Sequence, residues 1–146
     1  KCDILDYGCG KQTLQAEIER CFSAIPGMRI IGYDPAIPER SMEPEPAEIV
    51  VCTDVLEHVE GECIEAVIKH IHDLTKKIAI LEIDLQPAAK TLHYGRTAHI
   101  SINDNDWWLS WVKKYFVILE QEIGSRDILM VVQPIHLYRE RMCKAN

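Results

Sequence analysis

The sequence predicts an α/β domain built on a doubly wound, mostly parallel sheet that ends in a C-terminal antiparallel hairpin. Three observations lead there. Short β-branched runs alternate with segments of helical apolar spacing, the signature of successive βαβ units. A glycine turn, Gly8-Cys9-Gly10, separates the first strand run from the first helical run. Near the C-terminus, two strand runs flank Gly124-Ser125-Arg126-Asp127, a hairpin signal.

The elements follow in order. Lys1-Cys2-Asp3-Ile4-Leu5 opens directly as a strand without a preceding cap or helix, so residues upstream of it are expected. Past the glycine turn, Leu14, Ile18, Cys21 and Phe22 have helical spacing, and Pro26-Gly27 ends that helix. Met28-Arg29-Ile30-Ile31-Gly32-Tyr33 forms the second strand, which runs into Asp34-Pro35. Pro35, Pro38, Pro44 and Pro46 then interrupt any regular hydrogen-bond ladder, so residues 35–46 read as an extended loop, as though a helix and strand had been trimmed. Ile49-Val50-Val51-Cys52-Thr53 is a continuous apolar run suited to a central parallel strand. Residues 63–74 carry Ile64, Val67, Ile68, Ile71 and Leu74 on one helical face, and residues 78–83 form the next strand. A loop over residues 86–106 leads to a helix through Trp107, Trp108, Trp111, Val112 and Phe116, with Asp104 or Asn105 as its cap. Strands over residues 116–123 and 128–132 complete the hairpin.

At 146 residues and 47% hydrophobic, the chain is long enough for a single domain spanning residues 1–146 with one core. The six cysteines form no CxxC pair, which argues against a zinc knuckle or disulfide framework and favours a reducing cytoplasm. No apolar run approaches the roughly 20 residues needed to cross a bilayer. The net charge of −7 disfavours a long nucleic-acid partner, whose phosphates call for clustered Lys and Arg.

The glycine turn places free amides of a helix N-terminus close to a ligand. Thr13 stands where a dinucleotide fingerprint needs its third glycine, and Asp6 would repel a pyrophosphate. An acid there suits the cationic sulfonium and ammonium region of S-adenosylmethionine. Asp34 follows the turn by about 20 residues, the spacing at which an acid accepts hydrogen bonds from ribose hydroxyls.

Three segments now carry a resemblance. Leu5-Asp6-Tyr7-Gly8-Cys9-Gly10 resembles motif I of the class I methyltransferases, Gly32-Tyr33-Asp34-Pro35 their second-strand acidic motif, and Val51 to Val59 their fourth-strand motif. The resemblance implies a Rossmann-like fold and S-adenosylmethionine as cofactor. It places Asp6, Gly8, Cys9 and Gly10 round the methionine part, Asp34 and Pro35 at the ribose, and Thr53, Asp54 and Val55 on the methyl-donor side. The Tyr94-Gly95-Arg96-Thr97-Ala98-His99 loop and the following Trp107-Trp108 helix resemble small methyltransferase-domain proteins of bacteria and phages. Gln12 departs from the family's usual glycine. The short segment after Asp34 removes the usual acid beside the adenine and leaves Met42 or Val51 as candidate walls.

Methyl transfer from a sulfonium is an in-line displacement that positioning alone can greatly accelerate. For a hydroxyl or amine acceptor a base helps, and His58 and His99 are the catalytic candidates, with Arg96 as a clamp for an acceptor anion. Trp107 is a candidate acceptor-stacking residue, whereas Trp108, Trp111 and Val112 mark the buried helix face, and His70 and His72 are expected at the surface. These residues together predict a cytoplasmic enzyme that methylates a small-molecule or sugar-like acceptor, with no resident metal and no membrane association. Two alternatives remain open: a catalytically inactive S-adenosylmethionine-binding partner subunit, and a metal-dependent RNA 2′-O-methyltransferase using Asp54, Glu57, His58 and His99.

Overall fold

The computed structural model describes residues 2–22, 25–89, 91, 95 and 97–144. Its elements in chain order are β1 (Cys2–Tyr7), α1 (Thr13–Phe22), β2 (Met28–Tyr33), β3 (Ala47–Thr53), α2 (Ile64–Leu74), β4 (Thr75–Asp84), α3 (Asn105–Val112), β5 (Phe116–Ile123), β6 (Asp127–Pro134) and α4 (Ile135–Lys144). Short 3₁₀ turns occupy Pro38–Arg40, Leu56–His58 and Gly61–Cys63. The sheet order is β2-β1-β3-β4-β6-β5. β2, β1, β3 and β4 run parallel, and β6 lies antiparallel to both β4 and β5. This is the α/β doubly wound sheet with a terminal antiparallel pair that the alternating pattern predicts.

The main core lies on one face of the sheet. β-Strand side chains alternate between faces, and Leu5 and Tyr7 of β1, Ala79, Leu81 and Ile83 of β4, and Ile128, Met130 and Val132 of β6 all join it. α2 covers them with Ile64, Ile68, Ile71 and Leu74, spaced as one helical stripe and all buried. Sealing a side chain such as Ile68 or Leu81 from water stabilises the fold by about 1.5–3 kcal/mol. α3 adds Trp108, Leu109 and Val112 to the same core.

Several boundaries differ from expectation for identifiable reasons. β4 begins at Thr75 because α2 passes into it without an intervening loop. α3 ends at Val112, so Phe116 opens β5 instead of closing the helix. Asp104 caps α3, its carboxylate accepting from the Trp107 amide at 2.8 Å. Trp111 is half-buried, with Lys114 Nζ 3.6 Å from its ring centroid. α4 has no counterpart in the sequence reading, since it buries no residue and so presents no apolar stripe. Residues 35–46 hold only the 3₁₀ turn, which leaves β2 at the sheet edge. Between Ile118 and Glu120 the β5–β6 register shifts, Leu119 being the extra residue.

The six cysteines are free thiols. Among the described residues, no helix is long and apolar enough to cross a membrane.

Candidate active site

The glycine turn is shaped by close approach. Gly8 has φ +79, and its amide and that of Cys9 both donate to Tyr33 O, at 2.8 and 3.0 Å. A Cβ on Gly8 would stand 2.3 Å from Val55 Cγ2, so only glycine lets the β1 and β3 ends meet. Gly10 donates its amide to Asp34 Oδ2 at 3.0 Å across a sequence separation of 24 residues. Asp34 Oδ1 accepts from Ala36 N at 2.9 Å. A carboxylate offers about four lone-pair sites, so two remain for a ligand diol.

The turn stands directly over a buried charge. Asp6 is buried, and burial raises its carboxyl pKa while Arg40 pulls it down and Asp34 raises it further. Arg40 donates to Gly10 O and, at 3.0 Å, to Gln12 Oε1. Gln12 itself holds φ 60, the left-handed conformation a glycine would adopt freely. Cys9 packs against Gly32, where a Cβ would lie 2.8 Å from its sulfur, and burial raises its thiol pKa.

A cleft of about 350 Å³ opens at the carboxyl ends of β1, β2 and β3, the position where open α/β sheets bind ligands. Gly8, Asp34, Pro35, Asp54, Val55 and His58 line it, together with Tyr7 and Val67. Asp6, Cys9, Gly10 and Thr53 lie outside this lining; Asp6 and Cys9 are buried beneath the turn. Met42 is exposed and Val51 belongs to the core, so neither forms a wall. Trp107 also lies outside it, packed edge-on to Trp108 with 4.8 Å between ring centroids.

Tyr7 was not anticipated as a cleft residue. Its hydroxyl donates to His70 Nδ1 at 2.9 Å, and His70 Nε2 donates to Glu43 Oε1 at 2.7 Å. His70 is therefore partly buried between the proline-rich loop and β1 rather than at the surface. His72 packs against Phe116 and His136 in the same partly buried manner. The available sequence signal for Tyr7 was its in-phase position with Leu5 on the core face of β1. Arg40 gave no such signal, because only the fold of residues 34–40 returns it to the glycine turn.

The other side of the cleft is assembled from distant segments. Asp54 takes φ 55, and the following 3₁₀ turn buries Leu56 and Glu57 while exposing His58. The Glu57 carbonyl accepts from Ile100 N at 2.8 Å and Ser101 N at 3.0 Å, and Ser101 Oγ donates to Val59 O at 2.6 Å. These bonds bring His99 to His58, with ring centroids 4.8 Å apart in an edge-to-face arrangement. Each imidazole donates Nδ1–H to a carbonyl, His58 to Ala98 O at 2.8 Å and His99 to Gln86 O at 2.6 Å. That tautomer leaves a lone pair on each Nε2. The Glu57 carboxylate is fully buried. Its Oε1 accepts a long bond from Asp84 N at 3.4 Å, and its Oε2 has no partner. Burial raises its pKa against the pull of the backbone amides and His58. Arg96 and Tyr94 lie outside the described residues.

No curated protein sequence is significantly similar to the chain. Solved structures share its fold at low identity. The PH0226 protein of Pyrococcus horikoshii OT3 is 15% identical with a TM-score of 0.63, over 92% of this chain and 82% of its own. Magnesium protoporphyrin IX methyltransferase from Synechocystis PCC 6803, solved with bound S-adenosylhomocysteine, is 17% identical with a TM-score of 0.59, over 90% and 74%. The 1,6-didemethyltoxoflavin-N1-methyltransferase of Burkholderia thailandensis, solved with bound 1,6-didemethyltoxoflavin and S-adenosylhomocysteine, is 13% identical with a TM-score of 0.68, over 91% and 71%. The methyltransferase-domain profile matches residues 2–117, which include the glycine turn, Asp34 and the 54–58 segment. By that match the chain belongs to the methyltransferase-domain family.

Proposed function

We propose that this protein transfers a methyl group from S-adenosylmethionine to a hydroxyl or amine of a small-molecule or sugar-like acceptor. The observation that carries this reading is the direct bond between the Gly10 amide and Asp34 at the mouth of the carboxyl-edge cleft. It joins two of the three motifs into one binding surface for a nucleoside bearing a cationic centre. Asp34, with Pro35 beside it, holds the ribose. Gly8 and Gly10 pass close to the methionine part, and Asp6 below the turn supplies negative charge toward the sulfonium. Asp54 and Val55 flank the methyl group, with Thr53 behind them at the end of β3.

In the transfer, the acceptor atom attacks the methyl carbon as the carbon–sulfur bond breaks, and the acceptor loses a proton. His58 and His99 stand at the acceptor edge with Nε2 lone pairs available to take up that proton or to hold the acceptor group, and Arg96 is assigned to an acceptor anion. The net charge of −7 supports a small acceptor over a nucleic acid, and six free thiols support a reducing, cytoplasmic setting.

The test is calorimetric titration with S-adenosylmethionine and S-adenosylhomocysteine, followed by an acceptor panel read as S-adenosylhomocysteine release. Binding that weakens in Asp34→Ala, with release on at least one acceptor, supports the assignment. A folded chain that binds neither cofactor form rejects it.

A further inference from the structure

We infer that Glu57, His58 and His99 form a binding site for one divalent transition-metal ion, zinc or a first-row neighbour, at the acceptor edge of the cleft. One carboxylate oxygen of Glu57 and one ring nitrogen from each histidine lie within 4.8 Å of one another. Bonds of about 2.1 Å in a tetrahedral site hold ligand atoms about 3.4 Å apart, so binding needs only a modest inward closure, and the exposed His58 ring is placed to make it.

Two further observations point to a ligand. Both histidines are already set as metal ligands are: each gives Nδ1–H to a main-chain carbonyl, which fixes the ring and directs the basic Nε2 away from that bond. Gln86 and Ala98, twelve residues apart in the β4–α3 loop, supply those carbonyls. Glu57 provides the second observation. It is wholly buried, one of its oxygens has no partner, and no lysine or arginine pairs with it among the described residues. A buried carboxylate left in that state is costly, and either a proton or a cation must neutralise it.

The donor set narrows the choice. Two imidazoles and one carboxylate suit zinc, cobalt, iron or manganese, whereas magnesium and calcium prefer all-oxygen shells. Three protein ligands leave at least one coordination position open. His58 also lines the cleft, so that position faces the space assigned to the acceptor. The role, though not the binding, rests on the methyl-transfer reading: the ion would hold an acceptor oxygen beside the donor methyl.

The experiment is titration of the chelator-treated protein with cobalt(II), read by visible ligand-field absorption, and with zinc(II), read by calorimetry, with magnesium(II) as comparator. We expect one equivalent of cobalt or zinc, little response to magnesium, and affinity at least ten-fold weaker in His99→Ala and in Glu57→Gln. Far-UV circular dichroism establishes that each variant is folded. His99→Ala alone suffices if Glu57→Gln is not, since His99 lies on a half-buried loop. No saturable uptake by the wild-type protein, or equal affinity in folded His99→Ala, overturns the inference. S-adenosylmethionine binding is measured on the same metal-free samples: its loss with ion uptake intact strikes the methyl-transfer reading alone, and its retention without ion uptake strikes this inference alone.

Discussion

The two walls of the cleft are made by different means. The glycine-turn side, which reaches the cleft through Gly8, is a property of backbone. Two positive φ angles and main-chain amides bonded to Tyr33 O and Asp34 shape it, within one βαβ unit. The His58 side is a property of side chains: His58 lines the cleft, and His99 and the buried Glu57 are gathered behind it across a separation of about forty residues by carbonyl–amide bonds between a 3₁₀ turn and a loop. Damage to each should therefore fall on a different property. Altering the backbone wall should loosen the fold and the cofactor together, whereas altering the side-chain wall should stop chemistry and leave both largely intact.

The sharpest separation is expected from His58→Ala. An exposed ring contributes little to stability, but losing an acceptor-side base or ligand should lower single-turnover methyl transfer by about 10²–10⁴-fold. Cofactor affinity should change no more than about three-fold, and an equal loss in both would merge the two walls into one. Gly8→Ala comes next. Left-handed backbone without glycine costs about 1–3 kcal/mol, and the overlap with Val55 adds to it, so urea unfolding should show about 2–3 kcal/mol of lost stability along with weakened cofactor binding. Unchanged stability would mean that the turn can relax without its glycine. Asp34→Ala should weaken S-adenosylmethionine binding about ten-fold, as expected for a lost charged hydrogen bond of about 1.5 kcal/mol or more. Calorimetry showing wild-type affinity would remove Asp34 from the ribose.

The smallest effect concerns Asp6. Its folded-state pKa is raised by burial, so between the ordinary value of 3.8 and that raised value the folded protein holds the proton more tightly than the unfolded chain. Stability should therefore fall as pH rises through that window, by less than about 1.4 kcal/mol per pH unit. Asp6→Asn should flatten the slope, and a slope unchanged in that variant would assign it to another acid such as Glu82, whose pKa burial also raises.

The same contrast explains what could be read before the fold was known. Gly8, Gly10 and Asp34 announce themselves because backbone conformation and strand-to-strand spacing are local properties of the chain. The strands and α2 were legible for a similar reason, since Ile64, Ile68, Ile71 and Leu74 repeat at the helical period. His58 and His99 were visible as candidate residues, but their tautomers and the unpartnered Glu57 oxygen depend on Gln86, Ala98 and Asp84, whose contributions come from main-chain atoms. Main-chain amides and carbonyls carry no mark in a sequence. Motif position marks Asp6 and Cys9, but their burial, and the strand alternation that puts Asp6 on the face opposite Tyr7, come from the fold. α4 is not legible in the sequence because it buries no residue and so carries no apolar stripe.

The displaced Leu119 in β5 bears on self-association. An outer strand presents unpaired amides and carbonyls on which a second chain can template itself. Past the register shift, β5 carries Glu120, Gln121 and Glu122, all exposed. A neighbouring copy laid antiparallel along this stretch would set acid against acid, and the local kink would spoil its ladder. At the opposite margin, β2 is only six residues long, preceded by Pro26-Gly27 and followed by Pro35. Both margins thus discourage sheet extension from one molecule to the next.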